Sequence, residues 1–205
     1  MTLPKISDVI NSLDIKTISK KRKLVLAPLV TYIQGKLDSN KDIKLNFICT
    51  HNSRRSHLSQ VWAQAMASYF EIEKVYCFSG GTESTALYPK VVETLERSGF
   101  NVEVISEGNN PIYNIFYSEN TPPVIGFSKT FDSEENPKSE FAAILTCSDA
   151  DENCPFIEGA ELRIPITYED PKVSDGTAEQ ETVYMERSLQ IATEMKYVFS
   201  EIKHK

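Results

Sequence analysis

Apolar and polar positions along this chain switch repeatedly between a strand-like and a helical period. Residues 45–48 are short, apolar and β-prone, and Cys49 closes them. A small, polar and basic stretch follows, and then Leu58, Val61, Trp62, Ala65 and Tyr69 recur at helical spacing. Residues 74–78 predict a second strand, with Ser79-Gly80-Gly81 as a tight turn at its end. Residues 89–98 predict a short helix that starts at Pro89, turns Val91, Val92 and Leu95 inward and stops at Gly99. A short strand at 102–105 comes next. Between 108 and 139 the rhythm breaks into GNNP, the aromatic run IYNIFY, TPP and the polar DSEENPKS. This stretch reads as a loop with short extended pieces, 124–127 being the best strand candidate. Order returns with the buried-looking strand 141–146, which ends at Cys147, and polar 148–153 leads on to Cys154-Pro155. A strand at 162–166, a loop holding Asp170-Pro171 and an amphipathic helix over 182–202 complete the chain. That helix carries Tyr184, Ile191, Met195, Val198 and Ile202 on one stripe.

Strands alternating with helices imply an α/β fold around a mostly parallel, helix-covered sheet. In such sheets a site lies outside the carboxyl ends of the strands. Cys49, Ser79 and Cys147 all follow strand ends, so they can meet on one rim. Residues 1–40 look separate from this core, which occupies 41–205. Within them 7–13 and 20–37 have helical spacing, with Leu24, Ala27, Val30 or Thr31, Ile33 or Gln34 and Leu37 near one face. Pro28 should kink the longer run or mark a helix start. The basic run 20–23 reads as a solvated face, and 37–42 as a turn or linker. We read the segment as a helical extension, packed on the core or used for a homodimer contact.

Composition narrows the function. At 205 residues, with 40% hydrophobic and 25% charged positions, this is an ordinary globular chain with room for one real core. A net charge of −7 argues against a nucleic-acid partner. No apolar run approaches membrane-spanning length, so no membrane role is expected. Four cysteines in this length do not make a disulfide scaffold. With no signal peptide visible they suggest a reducing, cytoplasmic setting, where thiols are more often catalytic or redox-active.

The chemistry concentrates in Cys49-Thr50-His51-Asn52-Ser53-Arg54-Arg55-Ser56. Five residues between a thiol and a guanidinium let the backbone curl until successive N–H groups point inward. The following helix adds its positive end, and Arg55 can hold two oxygens of a tetrahedral oxyanion. The same field favours a nucleophilic thiolate at Cys49. Ser56 can donate to it, while Thr50, His51, Asn52, Ser53 and Arg54 supply the cradle, with Asn52 tolerant of a left-handed backbone. Cys147 and Cys154 flank the acidic spacer SDADEN. Their spacing, without a Cys/His cluster, does not suit a metal, and neither a metal nor a cofactor is expected. Cys77 and Trp62 read as core, His57 as an ordinary polar contact and Ser79 as a support for the cradle.

FICTHNSRRS resembles the phosphate-binding loop (P-loop) of the low-molecular-weight protein tyrosine phosphatase superfamily. Cys147-SDADEN-Cys154-Pro155 resembles the redox loop of that superfamily's thioredoxin-coupled arsenate reductases, and Tyr168-Glu169-Asp170-Pro171 resembles their acid loop. The likeness covers about 44–202, with 108–139 looking like an insertion. It implies a three-layer sandwich around a four-stranded sheet and an enzyme that reduces arsenate to arsenite. Cys49 would attack arsenate held by Arg55 and the loop, and Asp170 would protonate the departing oxygen. Cys147 and then Cys154 would carry the disulfide outward to thioredoxin, the partner the resemblance implies. The alternative is a phosphatase that hydrolyses phosphomonoesters through a phosphocysteine. Some relatives of this type bind potassium beside the loop. Asn52 and Ser79 match two of those positions, but Gln60 stands where a carboxylate is expected, so a potassium site is not expected. Arg54 replaces a cysteine common before the loop arginine.

Overall fold

A computed structural model describes residues 1–153 and 156–203, without the side chain of residue 153. Cys154, the outermost thiol expected in a relay, therefore lies outside the described residues. The order is α1 (Pro4–Ser12), α2 (Lys20–Asp38), β1 (Ile43–Cys49), α3 (Arg55–Tyr69), β2 (Val75–Gly81), α4 (Pro89–Arg97), β3 (Asn101–Ser106), β4 (Ile112–Phe116), β5 (Val124–Gly126), β6 (Phe141–Leu145), α5 (Ser148–Asn153), β7 (Ala160–Pro165) and α6 (Gln180–Ser200). The central sheet runs β2-β1-β6-β7, and every neighbouring pair in it is parallel. The α/β class and the four-stranded parallel sheet are as the sequence predicts.

Alternation along the strands divides the sheet into two faces. Leu45, Phe47, Ala142 and Ile144 join the main core with Leu58, Trp62 and Met66 of α3 and with Ile191 and Met195 of α6. Trp62 is fully buried, edge-on to Phe100, and donates its indole N–H to Ser188 Oγ at 2.9 Å. Ile48, Phe141, Ala143 and Leu145 form a smaller cluster, closed by Ala150 of α5 and by Ile157, with Phe131 packed against it. Cys49 and Cys147 both belong to this second cluster.

Residues 108–139 are more ordered than a loop. β3, β4 and β5 make an antiparallel three-stranded sheet of their own, so the IYNIFY run is a strand with Tyr113 and Ile115 buried. Its alternation is legible only once a partner strand exists on each side.

The N-terminal residues shape the core too. Ile6 and Ile10 of α1 and Leu26, Leu29 and Ile33 of α2 are fully buried in the main core. The buried stripe of α2 is thus not the one drawn from the sequence, because Leu24 is 75% exposed. Residues 24–30 are apolar without a break and so on every side of the helix, and docking rather than periodicity selects the face. Nor does the helix start at Pro28, which sits inside α2 on its exposed side, where water can serve the carbonyl it leaves unpaired.

Candidate active site

Parallel pairing puts the ends of β1, β2 and β6 on one rim. Cys49 lies opposite Gly81 of β2, and Ile48 lies opposite Leu145 of β6. Beyond Cys49 the chain curls, reaches φ 44° at Asn52 and enters α3 at Arg55. A non-glycine residue holds that backbone only where it is fixed, and the Asn52 side chain does the fixing. Its Oδ1 accepts from Lys129 N at 2.9 Å, and its Nδ2 donates to Ser56 Oγ at 2.9 Å. The Ser56 oxygen is thereby an acceptor, which leaves its hydroxyl proton to point at Cys49 Sγ, 3.2 Å away. The thiol thus faces a hydroxyl donor beside the N-terminal end of α3.

His57 supports the cradle from behind. Its Nε2 lies 2.9 Å from the Asn52 carbonyl, which only accepts, so Nε2 carries the proton. Nδ1 then accepts from Ser79 Oγ at 3.3 Å. Burial first, and the nearby Lys129 charge second, push His57 down to about 3 against a smaller upward pull from the Asn52 carbonyl. A neutral, buried histidine has a stability consequence. In the unfolded chain it takes a proton below its ordinary value near 6.5, whereas in the fold it refuses one until about 3. Stability must therefore fall as pH drops from 6.5 towards 3, by about 2 kcal/mol between pH 6.5 and 5. Urea unfolding at the two pH values should show that loss in the native chain, and His57→Gln should abolish most of it.

Arg55 is nearly buried and faces the acid loop. It donates from Nη1 to Tyr168 O at 2.9 Å and from Nη2 to Asp170 Oδ2 at 2.6 Å. Asp170 Oδ1 meanwhile accepts from Lys172 N at 3.0 Å, which fixes the carboxylate at the start of a short 3₁₀ turn. Cys49, His51, Ser53, Arg54, Arg55 and Asp170 line one small pocket. The backbone of its floor is shared with the turn after β2. Thr82 N donates to Cys49 O and Glu83 N to Thr50 O, while Thr85 Oγ1 bonds His51 O. The His51 ring itself is half exposed, 3.7 Å from Glu83.

Arg54 turns elsewhere. Its guanidinium donates to Tyr184 OH at 2.6 Å and to Asp175 Oδ2 at 2.7 Å, and lies 4.1 Å from the centre of the Tyr88 ring. Tyr88 N in turn donates to Ser53 O. Arg54 thus clamps the loop to α6 and to the turn before it, and only the rim of its side chain reaches the pocket. The sequence does not announce this clamp, because Tyr88, Asp175 and Tyr184 are distant in the chain. It likewise misses Lys129 and Ser128 of the 108–139 stretch, whose Ser128 Oγ bonds His51 O at 2.9 Å.

Cys147 sits at the end of β6, 1% exposed, with Thr50 Oγ1 of the loop 3.5 Å from its sulfur. The Ala150 N–H at the start of α5 points to the same sulfur at 3.4 Å. Asp151 of α5 is tied to β7 by an ion pair with Arg163. Cys49, Cys77 and Cys147 are free thiols, and Cys77 is a buried one on β2, held protonated well above the ordinary thiol range by burial.

The residues beside the loop do not suit a bound cation. Asn52 Oδ1 is already taken by Lys129 N, and Ser79 Oγ is engaged by His57. A Lys129 ammonium close enough to lower His57 would also repel a second positive charge. Gln60, carrying no charge, holds Cys77 O through Nε2.

No family model matches the chain. In sequence it is 28% identical over 142 residues to an arsenate reductase of Bacillus subtilis (strain 168), a match spanning 69% of this chain and 83% of that protein. It is 26% identical over 125 residues to arsenate reductase 2 of Staphylococcus epidermidis, spanning 61% of this chain and 76% of that one. Among solved structures, a low-molecular-weight protein tyrosine phosphatase from T. tengcongensis superposes with a TM-score of 0.55 at 16% identity. That match covers 78% of this chain and 100% of the phosphatase. An arsenate reductase in a phosphate-binding state gives 0.50 at 17% identity, covering 78% of this chain and 99% of the other. The structural likeness establishes the fold, and the sequence relatives are arsenate reductases.

Proposed function

We propose that this protein, an arsenate-reductase-like member of the low-molecular-weight phosphatase superfamily, reduces arsenate to arsenite through a thiol relay that thioredoxin recycles. The observation that carries the reading is the second buried thiol, Cys147, in contact with the oxyanion loop through Thr50. Hydrolysis through a phosphocysteine at Cys49 needs only water to finish, not a second thiol.

In the first step Cys49 sulfur attacks arsenic, and Asp170 gives its proton to the oxygen that leaves as water. Arg55 and the loop amides hold the remaining oxygens. Cys147 then attacks the Cys49 sulfur. The electron pair of the sulfur–arsenic bond stays on arsenic, which departs as arsenite, and two thiols have become one disulfide. Ile48 pairs with Leu145 across strands ~4.8 Å apart, so Cys49 and Cys147 leave the sheet side by side, and a disulfide between them needs Cα atoms ~4.4–6.8 Å apart. Cys154 then attacks Cys147, freeing Cys49 and handing the disulfide to thioredoxin. A relay of this kind belongs in a reducing compartment such as the cytoplasm.

The alternative, phosphomonoester hydrolysis through a phosphocysteine, uses the same Cys49, Arg55 and Asp170, and the fold is shared with phosphatases. Against it, Tyr168 cannot wall an aryl phosphate: it is buried, with Arg22 4.9 Å above its ring. The test is to follow arsenite release and arsenate-dependent NADPH oxidation with thioredoxin and thioredoxin reductase, alongside aryl phosphate hydrolysis. Cys147→Ser should release no arsenite while keeping any hydrolase activity. Cys154→Ser should release about one arsenite per chain and stop with Cys49 and Cys147 joined. Intact arsenate turnover in Cys147→Ser would defeat the relay.

A further inference from the structure

We infer that the cavity between α3, β2 and residues 117–129 is a second ligand site, which takes a small organic anion with an apolar body and a carboxylate head. It shares no lining residue with the oxyanion pocket. Its volume is about 440 Å³, the size of a site for a small molecule rather than a peptide groove. Tyr76, Phe78, Pro122, Pro123, Ile125 and Phe127 give it apolar walls.

One cation, Lys129, and one carboxylate, Glu135, line this otherwise largely apolar space. Lys129 is 7% exposed, and its ammonium has no hydrogen bond or ion pair among the described residues. Its one close contact of this kind is the Phe127 ring, 4.5 Å from Nζ. An ammonium stripped of most of its water attracts an anionic group more strongly than one in open solvent. Burial accordingly lowers Lys129 to about 8, with Glu135 opposing. The groups facing Lys129 answer its charge only in part, Glu135 doing so through solvent. His57, on α3, is neutral, and Glu135 is solvated and hydrogen-bonded to Ser133. Thr121 adds an independent sign: its Oγ1 is buried in the cavity wall with no partner among the described residues, and a hydroxyl there can donate to an anionic head. A carboxylate against Lys129, with apolar carbon along the Tyr76 and Ile125 walls, matches both the charge and the shape. Such a ligand would sit directly behind the oxyanion loop, since Lys129 N is the donor that fixes Asn52.

The inference stands whether or not the chain reduces arsenate, and its test is binding, not turnover. Naphthoate, phenylbutyrate and decanoate are titrated into the full chain by calorimetry, with excess inorganic phosphate present to fill the oxyanion loop. Each is compared with its neutral amide. At least one carboxylate should bind, about tenfold more tightly than its amide. Lys129→Met should remove that advantage, and affinity should fall as pH rises through about 8. Tyr76→Ala, at a half-exposed wall position that does not threaten folding, should weaken acid and amide alike. The site is refuted if none of the three carboxylates binds, if phosphate displaces them, if amides bind as tightly, or if both variants bind as the native chain does.

Discussion

Cys49→Ser should abolish arsenate reduction and any phosphoester hydrolysis, with residual rates at the detection limit, while the oxyanion still binds. The serine hydroxyl can sit where the sulfur does and keep the contact with Ser56, because the Asn52 bonds that hold Ser56 do not involve Cys49. Arg55 and the curled loop remain, so phosphate or arsenate affinity should change only a few-fold. The chemistry cannot survive. An alcohol ionises many orders of magnitude less readily than a thiol, and it cannot form the disulfide by which arsenic receives its electrons. Calorimetric titration of phosphate alongside the two activity assays separates binding from turnover. Loss of binding together with activity would mean that the sulfur also organises the loop. Retained turnover would place the nucleophile elsewhere.

How far the sequence alone reaches depends on how local each feature is. The strand, the curled loop and the helix that opens at Arg55 are continuous in the chain, and their residue types are enough to predict them. Cys147 could be brought to the same rim because it, too, follows a buried strand, and the parallel pairing of β1 with β6 does the rest. What closes the site over distance was not legible. Asn52 is held in its left-handed conformation by a backbone amide at Lys129, and Arg54 is held by Asp175 and Tyr184. These partners lie 77 and 121 to 130 positions away, and no local period encodes such a pairing. The 108–139 stretch fails to read as a sheet for a related reason. Its strands are short, and the face they bury depends on neighbours that only the tertiary fold supplies.

The same reasoning explains why the N-terminal residues look detachable in the sequence, and it leads to the other large effect. Removing residues 1–38 should leave a chain that does not fold cooperatively, although the loop from Cys49 to Arg55 lies wholly beyond the cut. Ile6, Ile10, Leu26, Leu29 and Ile33 are each fully buried, and their loss from the core forfeits roughly 10 kcal/mol of apolar burial before any further exposure of α6. That is comparable with the entire stability of an ordinary domain, about 5–15 kcal/mol. Polar contacts go too. Lys196 Nζ loses the carbonyls of Ile10 and Leu13, and Glu194, 3% exposed, loses its two-pronged contact with Arg22. Arg22 also covers the Tyr168 ring, and Tyr168 O is one of the two groups that hold Arg55. Arg22→Met isolates that last link. It should fold with a lowered melting temperature and weaken oxyanion turnover through a looser acid loop. Circular dichroism and urea unfolding of the truncated chain decide the larger point. If residues 39–205 unfold cooperatively at the midpoint of the full chain, the first two helices are an appendage; if no cooperative transition remains, they are part of the core on which Cys49 and Arg55 are mounted.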